Sequence, residues 1–201
     1  WRSWSSPAPR SRAMLNWRSL TQDQQTGADF IASRPVSLLA DKPGLGKTAQ
    51  LVQAVDLCAP KRTLIICPPI LRENIAREFE RFSLFSEPVT ILRSGKDRLP
   101  AGGIVAVSYQ LAARGYRELN EWRPEFVACD EAHALKEPGS ERAKAVVGRK
   151  KRIVEHAGRM LWMSGTPAPN HIGEFYTFAR AAGVWRDTQE AFHSRYCKTV
   201  D

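Results

Sequence analysis

No apolar run in these 201 residues approaches the ~20 residues that a membrane-spanning helix requires, so no membrane partner is expected. Cysteine is scarce and unpatterned. Cys58, Cys67, Cys129 and Cys197 show no C-x-x-C spacing, and three of them fall in or beside apolar segments. That argues against a disulfide framework or a zinc site and reads as small core residues in a reducing compartment. The histidines His133, His156, His171 and His193 also lack metal-ligand spacing. Acid is in short supply: 21 Asp and Glu stand against 30 Lys and Arg, a formal net charge of +9 that suits a polyanionic partner. With 43% hydrophobic residues the chain has enough apolar side chains for one core.

Residues 1–13 (WRSWSSPAPRSRA) are rich in Ser, Pro and Arg, without periodicity or the apolar stretch of a signal peptide, and are expected to be disordered. Trp1 and Trp4 read as tail residues. The chain does not begin with Met, which reads as a fragment or an over-extended reading frame with Met14 as the candidate start.

Two short stretches carry the chemistry. The first, DKPGLGKT at 41–48, follows an apolar run at 36–40 and precedes Ala49, Leu51, Val52, Ala54 and Val55, which give a helix an apolar face. A glycine-rich loop between strand and helix can turn its N–H groups inward around phosphate oxygens, with the helix N-terminus adding partial positive charge. Gly44 and Gly46 let the backbone approach, Lys47 is placed for the β- and γ-phosphates, and Thr48 offers a hydroxyl to Mg²⁺. Asp41 stands where the strict G-x-x-x-x-G-K-[ST] pattern has its first glycine. The bland alternative is a strand-to-helix turn that binds nothing.

The second stretch, DEAH at 130–133, ends the apolar run 126–129, which delivers Asp130 and Glu131 to the carboxyl edge of a sheet. There one acid can hold Mg²⁺ while its neighbour orients an attacking water, so Asp130 is assigned to the metal and Glu131 to the water. Capping of a following helix is the alternative reading.

These residues resemble a family. DKPGLGKT, DEAH followed by Leu135 and Lys136, and the later Ser164-Gly165-Thr166-Pro167 with Asn170 look like motifs I, II and III of superfamily 2 helicases and translocases, and most resemble the Swi/Snf-type branch. In that branch motif I usually reads D-E-M-G-L-G-K-T. Asp41 is therefore normal for the family, while Lys42 and Pro43 depart from it. Residues 20–27 (LTQDQQTG) resemble its L-x-x-x-Q-x-x-G, which implies Gln24 as the reader of the adenine edge; Thr21 and Gln24 also have the spacing of a capping box, and both readings can hold. Residues 65–71 and 105–109 look like motifs Ia and Ib, whose strand-end loops touch nucleic-acid backbone in the family. Residues 191–197 are weakly similar to a segment after motif III in annealing-helicase and phage members.

The resemblance covers roughly 20–182. It implies a nucleotide cradle of Gln24, Asp41, Pro43, Gly44, Leu45, Gly46, Lys47, Thr48 and Ala49, and a catalytic set of Lys47, Asp130, Glu131 and His133. Thr48 and Asp130 would hold Mg²⁺, while His133 couples motif II to Ser164, Gly165 and Thr166 in motif III. Ser164 and Thr166 are expected to hydrogen-bond towards the DEAH carboxylates, although Ser-Gly-Thr-Pro is also a good turn sequence. Arg142, Lys144, Arg149, Lys150, Lys151, Arg152 and Arg159 surround the single acid Glu155. This basic run is either a solvated face or a grip on phosphates.

Strand and helix patterns alternate along the chain. Strands are expected at 36–40, 63–67, 89–92, 104–108, 126–130 and 159–164, and helices at 21–34, from the loop to 58, 70–82, 109–119 and 172–182. Alternation predicts an α/β fold with a mainly parallel sheet covered on both faces, and the resemblance implies a three-layer P-loop NTPase (RecA-like) domain spanning 14–187, followed by the start of a further segment at 188–201. The implied function is the ATP-binding lobe of a DNA-dependent ATPase or helicase-like translocase that hydrolyses ATP to ADP and phosphate with Mg²⁺ and acts on duplex or forked DNA. A non-catalytic DNA-docking module or another P-loop ATPase is the alternative. A second RecA-like lobe, absent from this chain, would supply an arginine finger, so the isolated chain is expected to turn over weakly and not to translocate. A cytoplasmic location in a bacterial or viral host is expected, or a nuclear one if the source is eukaryotic.

Overall fold

Residues Val36–Leu39 (β1), Arg62–Cys67 (β2), Val89–Ile91 (β3), Gly103–Ser108 (β4), Phe126–Asp130 (β5) and Arg159–Met163 (β6) form one sheet in the order β1-β6-β5-β2-β4-β3, parallel at every pairing. The computed structural model describes residues 20–85, 88–148, 152–168 and 170–197. The expected tail 1–13, Met14, Arg149, Lys150, Lys151 and the last residues of the 188–201 segment lie outside these.

Parallel strands buried on both faces should be nearly continuous in apolar residues, and β2, β4 and β5 are. Alternate side chains then feed two cores. Leu64, Ile66, Val127, Cys129, Met160 and Trp162 point to one face, and Ile65, Cys67, Phe126, Ala128, Leu161 and Met163 to the other. Helices α1 (Gln22–Ala32), α2 (Lys47–Cys58) and α3 (Arg72–Phe82) cover the second set. The first is covered by α4 (Tyr109–Arg114), α5 (Tyr116–Glu121), α6 (Glu141–Val147) and α7 (Tyr176–Ala181). This division follows from topology. The chain runs outward along the sheet from β1 to β2 to β3 and returns through β4, β5 and β6, and right-handed crossovers in opposite directions place their helices on opposite faces.

Several expected helices are broken where the backbone requires it. Pro68 and Pro69 turn the start of the expected 70–82 helix into a 3₁₀ turn, Pro69–Leu71, ahead of α3. Gly115 interrupts the expected 109–119 helix between α4 and α5. The last two residues of DEAH and the two that follow form a 3₁₀ turn, Ala132–Leu135, and the expected 172–182 helix is a 3₁₀ turn, Ile172–Phe175, leading into α7. Helix α8 (Gln189–Tyr196), capped by Thr188, packs Phe192 against Tyr176 and Trp185 in a small aromatic cluster.

Cys58, Cys67 and Cys129 are buried and all four cysteines are free. Burial pushes the Cys58 thiol up to about 11 and that of Cys67 to about 12, which keeps both protonated as core residues. Among the described residues no helix is long and apolar enough to cross a membrane, and no group of three or more His, Cys, Asp or Glu side chains could hold a metal.

Candidate nucleotide site

Three neighbouring strands, β1, β6 and β5, end on the same edge of the sheet, so the 41–48 loop, Ser164 and the Asp130-Glu131 pair converge although they are far apart in sequence. After β1 the chain turns through Gly44 and Gly46, both in the left-handed region at φ 87° and 74°. Gly46 is the N-cap of α2 and brings no side-chain cap, so the first N–H groups of this twelve-residue helix remain available to an anion. Lys47 follows as the first helical residue and Thr48 as the second. The Lys47 ammonium lies back over the loop, donating to the carbonyls of Asp41 at 2.7 Å and Lys42 at 3.3 Å.

Asp41 has a structural reason to replace glycine. Its carboxylate accepts from Gln50 Nε2 at 2.9 Å, and Gln50 fills the space beside Gly27, where a Cβ would overlap its Oε1. A chain of contact thus runs from α1 through Gln50 to the loop. Gln50 escaped the sequence reading because a glutamine inside a helix carries no signal of its own. Gln24 fills the capping role foreseen for it. It closes the capping box with Thr21 and donates from Nε2 to the Leu45 carbonyl at 3.3 Å, and a Cβ on Gly46 would collide with that amide. The two departures from the usual motif also find a place for Pro43: a Cβ on Gly165 would sit 3.0 Å from Pro43 Cδ, so motif III rests directly on the loop.

At the end of β5, Asp130 is buried, and burial raises its carboxyl above the ordinary value even though the Glu131 N–H donates to it at 3.0 Å and Lys47 lies nearby. An ionised acid held there without a bound cation costs folding free energy. We expect Asp130→Asn to raise the thermal midpoint of the nucleotide-free protein by a few degrees while weakening Mg²⁺-dependent nucleotide binding, and differential scanning fluorimetry with and without Mg-ATP reads both. An unchanged or lowered nucleotide-free midpoint contradicts this. Glu131 is half-exposed with φ and ψ both 50°, left-handed for a residue that has a Cβ.

His133 joins two of the motifs. Its Nδ1 lies 3.3 Å from Glu131 Oε2 and 3.3 Å from Ser164 Oγ. The expected bonds from Ser164 and Thr166 to the DEAH carboxylates take a different route: Ser164 meets the imidazole instead and accepts the Thr166 N–H at 3.2 Å, while Thr166 itself is exposed. The register explains this, because Ser164 lies one residue past the Asp130–Met163 pair and so faces the turn after the acids.

Lys136 and Asn170 converge on a residue that the sequence reading missed. Glu174 is buried, and it accepts from Lys136 Nζ at 2.7 Å, Asn170 Nδ2 at 2.7 Å and the Asn170 N–H at 3.2 Å. Burial pushes its carboxyl up, but the bonds from Lys136 and Asn170 outweigh that and hold it at about 2. A carboxyl held below its ordinary 4.5 adds stability that is complete above that value and lost as the pH falls through about 2. We expect Glu174→Gln to cost about 2 kcal/mol at pH 7, since it strands a partly buried ammonium, and the difference from wild type to shrink between pH 4.5 and about 2. Urea unfolding across that range checks the sign; a pH-independent difference refutes it.

Three members of the basic run are engaged within the fold. Arg159 is buried at the start of β6 with Nη1 on the Arg34 carbonyl at 2.9 Å, Lys144 pairs with Glu141 at 2.9 Å, and Arg152 donates to the Gly148 carbonyl at 3.3 Å.

The family model described as SNF2-related domain matches residues 23–185. The SWI/SNF-related matrix-associated actin-dependent regulator of chromatin subfamily A-like protein 1 of Bos taurus is 34% identical over 189 residues, covering 89% of this chain and 19% of the relative. The TATA-binding protein-associated factor MOT1 of Saccharomyces cerevisiae is 27% identical over 209 residues, covering 90% and 11%. Among solved structures, the Sulfolobus solfataricus SWI2/SNF2 ATPase core in complex with dsDNA superposes with a TM-score of 0.75 at 23% identity, over 89% of this chain and 39% of the other. The chain thus spans a fifth or less of the length of these curated relatives.

Proposed function

Since the chain belongs to the SNF2-related domain family, we propose that it is the nucleotide-binding lobe of a DNA-dependent ATPase, acting on Mg-ATP and duplex DNA. The observation that carries this is the convergence, on one sheet edge, of an uncapped helix N-terminus, the Lys47 ammonium and the buried Asp130 carboxylate. That donor set fits a magnesium triphosphate: N–H groups and an ammonium for phosphate, and a carboxylate with the Thr48 hydroxyl for the metal. Bound Mg²⁺ would neutralise charge on the phosphate oxygens.

Each residue then has a task. The N–H groups of the 44–48 segment hold phosphate oxygens, and Lys47 leaves the Asp41 and Lys42 carbonyls for the β- and γ-phosphates. Glu131 orients the attacking water and His133 holds the Glu131 carboxylate. Ser164, bonded to His133, reports the state of that turn to motif III, which rests through Gly165 on Pro43. Gln24, already over Leu45, reads the adenine edge. The net charge of +9 supports a polyanion as partner, and duplex DNA is the one proposed.

The test is binding before turnover. A fluorescent ATP analogue titrated with and without Mg²⁺, followed by phosphate release with and without duplex DNA, should show Mg²⁺-dependent binding with ATP preferred over GTP, and turnover that duplex DNA raises. Absence of Mg-nucleotide binding overturns the reading; binding without any DNA effect removes the DNA half of it.

A further inference from the structure

Tyr109 is the first residue of α4 and is buried, yet it reaches across the sheet edge to place its hydroxyl 2.8 Å from the Asp130 carbonyl. The Glu131 N–H belongs to the same peptide plane as that carbonyl, and it donates to Asp130 Oδ1 at 3.0 Å. The plane between the two acids is therefore held at both edges, once from α4 and once from the Asp130 side chain. We propose that Tyr109 is a positioning residue for Glu131, acting by pinning this peptide; the proposal rests on Glu131 as the group that orients attacking water.

The reason to pin it lies in the next torsion. Glu131 sits at φ 50°, a conformation that a side-chain-bearing residue leaves unless its surroundings impose it. Rotation of the 130–131 peptide is the easiest way out, and it would swing the Glu131 carboxylate off the position it shares with His133 Nδ1. Two bonds oppose that rotation. The Asp130 carboxylate is committed to metal in the proposed reaction, and its hold on the Glu131 N–H weakens when it turns to a cation. The Tyr109 bond does not depend on nucleotide, because its acceptor is backbone and its donor is enclosed in the core beside Cys129. The arrangement also ties the start of α4, which begins at the end of β4 on the same sheet edge, to the catalytic turn. Whatever shifts the first turn of α4 shifts this peptide.

Tyr109→Phe removes the hydroxyl and keeps the ring. Amide hydrogen exchange at Glu131, read against the β5 amides, should quicken about tenfold while the thermal midpoint stays near wild type. DNA-stimulated turnover should fall about tenfold, with the Mg-ATP dissociation constant within about twofold. In a Glu131→Gln background the same substitution should cost nothing further, since a group that acts through Glu131 has nothing left to place. Unchanged exchange at Glu131 overturns the proposal, as does a loss of turnover equal in both backgrounds or a loss carried by nucleotide affinity. Should wild type bind no nucleotide, the functional reading fails and the exchange measurement alone decides whether Tyr109 braces the turn.

Discussion

Lys47→Ala is expected to lower Mg-ATP affinity roughly tenfold to a hundredfold, the range for losing charge-assisted bonds to phosphate. The structure makes this substitution clean. Lys47 is only half-buried, and its ammonium bonds two loop carbonyls, those of Asp41 and Lys42, which water can serve once the side chain is gone. The fold should persist, with a nucleotide-free thermal midpoint close to wild type. What should shrink, and move to higher nucleotide concentration, is the rise in midpoint on adding Mg-ATP, because a ligand stabilises the native state by RT ln(1 + [L]/Kd) and the dissociation constant has grown. Thermal shift against nucleotide concentration gives both quantities from one series. An unaltered shift would mean that Lys47 stays on its carbonyls with nucleotide bound, and the loop would then be a structural turn.

Glu131→Gln should separate chemistry from binding. We expect DNA-stimulated turnover to fall by about a thousandfold, within the range for removing a group that orients or accepts a proton from the attacking water, with Mg-ATP affinity nearly unchanged. The expectation follows from placement. Glu131 is half-exposed at the strand end, held by His133 rather than by Lys47, whereas Asp130 is buried with the lysine nearby. Glutamine keeps the shape and can still hydrogen-bond His133, so binding geometry should survive. Phosphate release and nucleotide titration on the same preparation decide the matter. Parallel losses in affinity and turnover would move Glu131 from the water to the metal.

Much of this was legible in the chain. Six strand positions could be read from short, mostly apolar runs, since parallel strands covered on both faces are nearly continuous in apolar residues, with Ser37 and Thr63 as buried polar exceptions. Gly44, Gly46, Lys47 and the Asp130-Glu131 pair could be named because their spacing to strand ends is local, and local spacing survives folding. The exact ends of helices were less accessible, since Pro68-Pro69 and Gly115 act through backbone geometry that apolar periodicity does not record.

Other contacts were beyond sequence altogether. Glu174 meets Lys136 and Tyr109 meets the Asp130 carbonyl across gaps that strand order closes, while Gln50 meets Asp41 back across the loop and Gly27 where α1 packs on α2. The partner of Ser164 likewise depended on register, which set the imidazole of His133 before it rather than a carboxylate. By itself, then, the amino-acid sequence determined which residues are proposed to hold phosphate and metal, because that proposal rests on side-chain chemistry and on spacing along one strand–loop–helix unit. The tertiary structure alone decided which of them touch, and in what conformation they are held. Parallel pairing places β6 beside β1 and β5 beside β6, and the buried polar groups brought together there must find partners in one another.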